Sequence, residues 1–233
     1  NKDRLIQELL PETVCITPEG FVADKLGTDD FKKIHQEFFK SIFEISKANV
    51  DHILGYGEFK EDLTTNYQTC RDFLNDTFTQ EKEGYWYNWQ DMFETTMMTK
   101  DIFYKFYERM EKRIKYCEGK HYLVNNSTWF ESIITDGNKV TGFPDWSRSG
   151  ICDFLLDFAI MDLNKPYYQI PELLVKYCKE EGIVIPDFKE RYLCMAYYKG
   201  IDVLRWHASI DDTESCTTII KYLDELEDRI MSL

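Results

Sequence analysis

Residues 153–163 make a helix-length segment that is apolar on most sides. A helix of that kind has no face to offer water, so other elements must enclose it. That requirement selects a globular domain and excludes an extended or disordered chain. The chain has the means to build one. Its 233 residues include 16 Phe, 15 Tyr and 5 Trp, side chains that bury large areas. The length suits one large domain, or one domain plus a remnant.

Helical periodicity surrounds the apolar segment. Phe31, Ile34, Phe38, Ile42 and Ile45 recur at three- and four-residue steps, which marks one face of an amphipathic helix. Thr28 is placed to cap it, and Asp29 and Asp30 sit at its positive end. Further helices are predicted within 66–78 and over 100–117, 171–182, 187–206 and 211–231. Gly119 closes the second of these, and Pro171 and Gly182 bracket the third in the usual order. Trp86, Trp89, Met92, Phe93 and Met97 form a stripe that reads as core packing rather than a cofactor site.

Strand signals are few. Val14, Cys15 and Ile16 read as a short strand stopped by Pro18 and Gly20, and 122–124 as another. Residues 132–135 and 139–143 read as a hairpin around Asp136, Gly137 and Asn138. Gly55, Tyr56 and Gly57 read as a loop. The fold class is therefore α+β, predominantly helical, with a small β-hairpin region near 122–145. No run of strands suggests a five-stranded nucleotide-clamping lobe, and no Gly-rich phosphate loop is present.

Charge narrows the partners. Forty-two acidic against 28 basic residues give a net charge of −14. Such a surface repels nucleic acid and anionic membranes and favours cationic ligands. No apolar run reaches the length of a membrane span. The seven cysteines are scattered, with no Cys-x-x-Cys pair, so they read as buried free thiols in a reducing cytoplasm. His35, His52, His121 and His207 have no spacing that suggests a metal site. Ser127 and Ser147 lack the Gly-x-Ser-x-Gly elbow of a hydrolase.

The segment most suggestive of chemistry runs Tyr122-Leu123-Val124-Asn125-Asn126-Ser127-Thr128-Trp129-Phe130-Glu131-Ser132-Ile133-Ile134, and continues to Gly142-Phe143-Pro144-Asp145-Trp146-Ser147. It resembles the catalytic segment of the aminoglycoside phosphotransferases, most closely the hygromycin B branch. The resemblance extends from about Val14 to the end, with weaker matches at Gly55 to Phe59, at Arg71-Asp72-Phe73 and at Cys152-Asp153. That family has a kinase-like fold, with a mainly β N-terminal lobe and a mainly helical C-terminal lobe. Its segment carries a His-Gly-Asp, four variable positions, an Asn, and later an Asp-Trp.

The resemblance places the family's His at Asn125, its Gly at Asn126, its catalytic base at Ser127 and its metal-binding Asn at Ser132. It keeps the second metal ligand as Asp145. Asp153 falls in a structural position, and Asp157 where the family often has a second acid. Phosphoryl transfer needs positioning, magnesium and a carboxylate that takes the hydroxyl proton. A serine at the base position cannot take it at neutral pH without an activator, and Ser132 is a weaker, shorter metal ligand than Asn.

Residues 1–20 are thus expected to be a remnant of an N-lobe's last strand and hinge, and 21–233 a C-lobe-like domain. The expected function is binding without catalysis, a pseudoenzyme acting on a ligand or protein partner. No cofactor is expected. The alternatives are an active phosphotransferase with an altered base, using Mg2+ and ATP or GTP with its N-lobe supplied elsewhere, and a purely structural interaction module. Candidate ligand-binding acids are Asp153, Asp157, Asp202 and Asp211, suited to a cationic, aminoglycoside-like molecule. Each also has a simpler reading: Asp153 as a helix cap, Asp157 as a hydrogen-bonded buried acid, Asp202 and Asp211 on solvated helix faces.

Overall fold

The computed structural model describes residues 20–81 and 83–233. The strand expected at Val14, Cys15 and Ile16, with Cys15 itself and most of the proposed remnant, lies outside the described residues.

The first helix among the described residues, α1 (Thr28–Ser46), buries Phe31, Ile34, Phe38, Phe39, Ile42, Phe43 and Ile45 along the predicted face. Its cap is Gly27, and Thr28 is the first helical residue rather than the cap. A short helix, α2 (Cys70–Asp76), is capped by Thr69, whose hydroxyl accepts the Asp72 amide.

The single helix predicted over 100–117 is two, α3 (Lys100–Glu111) and α4 (Ile114–Cys117). The break falls at Arg113. Its guanidinium donates to the Arg109 carbonyl at 2.9 Å, replacing the next turn's amide. It also ion-pairs with Glu190 at 3.0 Å. The Arg113 amide donates instead to the Met110 carbonyl at 2.8 Å, the tighter bond common at a helix end.

The apolar segment forms α5 (Leu155–Asn164), buried from Leu155 through Asp162. Two further helices follow, α6 (Ile170–Glu181), closed by Gly182 in the left-handed conformation, and α7 (Phe188–Ser209). The last is α8 (Thr213–Met231), where the Asp212 carboxylate accepts the Ser215 amide. Helix α7 is the hub: α3, α5 and α8 all pack on it. Gly200 permits the closest approach, because a Cβ there would lie 2.5 Å from the Leu223 side chain of α8.

Among the described residues two small antiparallel sheets accompany the helices. One joins β1 (Phe21–Val22), β4 (Ile134–Thr135) and β5 (Val140–Gly142), and contains the predicted hairpin. The other has β6 (Gly150–Cys152) between β2 (Gly57–Glu58) and β3 (Tyr122–Val124), with Ile151 opposite both Gly57 and Leu123. Gly57 was expected in a loop, and β6 was not anticipated. A three-residue strand buried on both faces shows no alternation to read. Gly150 lets β2 and β6 close, since a Cβ there would lie 2.1 Å from the Gly57 carbonyl oxygen. No helix among the described residues is long and apolar enough to cross a membrane.

Candidate functional site

The segment between β3 and β4 is held from beneath by one buried carboxylate. Asp157, in the first turn of α5 and fully buried, accepts the backbone N–H of Asn125 at 3.0 Å and of Asn126 at 2.8 Å. The Thr128 hydroxyl donates to the Asp157 carbonyl at 2.7 Å. These bonds fix a sharp turn in which Asn126 takes φ 56°, a left-handed geometry that asparagine tolerates better than most residues. Burial pushes the Asp157 carboxyl up to about 6, against the opposing pull of the two amides and Lys199.

Asn125 brackets the turn to the segment before β6. Its amide donates to the Asp145 carbonyl at 2.7 Å, and its Oδ1 accepts the Ser127 amide at 3.0 Å. The Ser127 hydroxyl donates to Asp145 Oδ2 at 3.1 Å. Asp145 Oδ1 accepts both the backbone N–H (3.0 Å) and the hydroxyl (2.7 Å) of Ser147. Partial burial favours the neutral form of Asp145, but the bonds from Ser147 and Ser127 outweigh it and hold the carboxyl below its ordinary value. Ser132 ends the short 3-10 turn Phe130–Ser132 and donates its amide to the Trp129 carbonyl at 2.8 Å.

As a magnesium site this donor set fits poorly. It offers one carboxylate whose oxygens already accept three hydrogen bonds, where a kinase site needs a second strong protein oxygen beside it. Among the described residues no group of three or more His, Cys, Asp or Glu is arranged to hold a metal ion.

Beside the turn lies a cavity of about 790 Å³, walled by Trp86, Trp129, Glu131, Arg148, Lys199, Asp202, Arg205 and Trp206, among others. Lys199 joins it to the turn, since its Nζ donates to Asn126 Oδ1 at 3.2 Å. Asp202 gathers the cations. Its Oδ1 accepts from Arg205 at 3.0 Å, and its Oδ2 lies 3.6 Å from Lys199 and 3.5 Å from Arg148. Burial alone would raise the Asp202 carboxyl, but Lys199, Arg148 and Arg205 hold it below its ordinary value. Burial, reinforced by the Arg148 charge, lowers the Lys199 ammonium to about 8. Arg205 lies over the Trp86 ring at 3.9 Å, a cation–π contact.

The four candidate acids do not converge. Asp153 pairs with Arg191 through two bonds of 2.7 and 2.9 Å in the core, and its Oδ1 also accepts the Leu155 amide. It stands one position before the helix cap, Phe154, rather than serving as that cap. Asp157 is committed to the turn. Asp211 is exposed and lines a smaller cavity of about 260 Å³ with Thr95 and Cys216. Asp202 alone reaches the large cavity, and it is buried rather than on a solvated face. Sequence reasoning missed Lys199, Arg205 and Arg148. The available signal was the three-residue spacing of Lys199, Asp202 and Arg205 along one helix face. The aromatic stripe divides, with Trp89 in the core, Trp86 on the cavity wall and Met97 exposed.

No family model and no curated protein matches the sequence. Solved structures do. The apo form of a thermostable mutant of aminoglycoside phosphotransferase APH(4)-Ia aligns with TM-score 0.78 and 17% identity, over 99% of this chain and 82% of that one. This is the aminoglycoside phosphotransferase fold. A further variant of that mutant, in ternary complex with AMP-PNP and hygromycin B, aligns with TM-score 0.77 and 16% identity, over 98% of this chain and 82% of that one. A choline/ethanolamine kinase family protein from Mesorhizobium loti aligns more loosely, with TM-score 0.54 and 14% identity over 99% of this chain and 77% of that one. At these identities the likeness establishes the fold and leaves activity open.

Proposed function

We propose that this chain binds a small molecule in the cavity beside the 125–132 turn and does not transfer phosphate. The observation that carries this reading is the Ser127 hydroxyl. It occupies the position the resemblance assigns to the catalytic base, and it donates its proton to Asp145. A hydroxyl is far too weak a base to take a substrate's proton at neutral pH in place of a carboxylate. The structural relative's ternary complex holds AMP-PNP and hygromycin B. The resemblance suggests an aminoglycoside-like polycation or a protein partner, and both are to be tried; the cations Lys199, Arg148 and Arg205 on the cavity wall tell against the polycation. A reducing cytoplasm is the compartment we propose, in keeping with the buried free thiols at Cys70, Cys117, Cys152, Cys178, Cys194 and Cys216.

One observation favours an active phosphotransferase. Asp145 falls where the resemblance places a metal ligand, and its carboxyl is held below its ordinary value. In that case a nucleotide-clamping lobe comes from elsewhere, and Asp145→Ala abolishes turnover. Incubation with Mg-ATP or Mg-GTP and hygromycin B, read by phosphate transfer and by melting temperature, decides between the two. The binding reading expects no transfer and no shift with nucleotide. Transfer above a no-enzyme control overturns it. A native-state ligand raises the melting temperature by mass action. If no small molecule does so, the domain acts as a structural module.

A further inference from the structure

The large cavity has more positive charge in its buried wall than its own carboxylates neutralise. Lys199 and Arg205 are 1% and 2% exposed, and the single buried acid between them is Asp202. Arg148 adds a third cation at the wall, and Glu58 pairs with it from outside the cavity at 2.8 Å. The cavity's own lining, Lys199, Arg205, Arg148, Asp202 and Glu131, thus carries one net positive charge with Lys199 protonated, and Glu58 offsets it from outside, at the half-exposed Arg148.

Hydrogen-bonding capacity is left over as well. Arg205 gives Nη1 to the Thr77 carbonyl at 2.8 Å and Nη2 to Asp202, while its Nε is buried without a hydrogen-bond acceptor in the protein. Lys199 makes one close hydrogen bond, to Asn126, out of three that an ammonium can donate. Buried donors normally find partners, and uncompensated buried charge is costly.

Two flat aromatic faces line the cavity beside these groups. The Trp129 ring lies 5.5 Å from Lys199 Nζ, and the Trp86 ring is stacked on Arg205. The volume falls within the range of pockets that take drug-sized ligands. A polycation is poorly served here. Asp202 is already surrounded by three cations, which leaves Glu131 as the one other carboxylate on the wall.

Building on the ligand-binding reading above, we infer that this cavity takes an organic monoanion, a carboxylate on a flat aromatic body. The head sits among Lys199, Arg148 and Arg205, and the body lies against Trp86 and Trp129. The overall charge of −14 slows the approach of an anion but acts weakly at the site, because exposed charges are screened beyond about 8 Å at physiological salt.

The test compares three probes of one shape: naphthalene-2-carboxylate, naphthalene-2-carboxamide and 2-naphthylmethylammonium. Binding to the full chain is read by calorimetry at pH 7. The carboxylate is expected to bind at least about tenfold more tightly than the amide, the equivalent of one charge-assisted hydrogen bond. Lys199→Met and the half-exposed Arg148→Gln are each expected to remove most of that preference while the amide's affinity stays level. Arg148→Gln keeps the test decisive should Lys199→Met fail to fold.

Equal affinities, preference for the ammonium, or no binding by any probe overturns the inference. Preference for the ammonium leaves the ligand-binding reading intact. Phosphate transfer from Mg-ATP overturns that reading whatever the probes do, so the two failures are distinguishable.

Discussion

Asp157→Asn isolates the carboxylate that holds the candidate turn. In the folded protein Asp157 titrates near 6, raised from 3.8 by burial despite its two amide bonds. A carboxyl raised on folding binds protons more tightly in the native state than in the unfolded one. The stability it contributes is complete below 3.8 and is lost as pH rises through about 6. That interval corresponds to about 3 kcal/mol. The Asp157→Asn protein has no such titration. It retains one acceptor oxygen, so one of the two amides goes without a partner, at about 1–3 kcal/mol.

The variant is therefore expected to be the less stable of the two at about pH 4. The gap should close by about 2.5 kcal/mol on going to about pH 7, to near equality or reversal. Urea melts of both proteins, followed by tryptophan fluorescence across that range, give the difference directly. The other acids titrate in both proteins and cancel. Parallel stability curves, or a gap that widens with rising pH, would refute the account of Asp157 as a charge held at a cost to stability.

Other consequences are simpler to read. Gly150→Ala brings a methyl against the Gly57 carbonyl and should cost at least about 2 kcal/mol, seen as a lowered melting temperature. Arg191→Met strands the fully buried Asp153 and should cost about 3–5 kcal/mol in chemical denaturation. Phe31→Ala removes a ring stacked on Tyr168 at 4.1 Å and should cost about 3–5 kcal/mol. Arg113→Ala removes the inward-turned side chain at the end of α3. Because it also breaks the ion pair to Glu190, the loss should shrink when salt is raised to the extent that the partly exposed pair is screened.

The helices were legible where apolar residues kept a helical period. α1 follows its predicted face, and α6 ends at the predicted glycine. The elements that escaped were those whose cause is tertiary. Arg113, at the break between α3 and α4, is turned inward to acids far along the chain, and β6 exists because two other strands lie beside it. The site was half legible. Asn125, Ser127 and Asp145 do come together, joined through short hydrogen bonds. Its cationic wall was not, because Lys199 and Arg205 look like ordinary exposed residues on a helix. Their burial follows from α7 being covered by α3, α5 and α8, which no local pattern announces.

The central place of α7 also orders events during synthesis. It spans Phe188–Ser209, late in a chain of 233 residues. The aromatic faces of α1 and α3 leave the ribosome well before the helix that completes the core. At about 5–20 residues per second, that interval lasts seconds. Throughout it the nascent chain exposes phenylalanines destined for the interior. A ribosome stalled before residue 188 should therefore carry a chaperone client, and the released chain should be a protease-resistant domain.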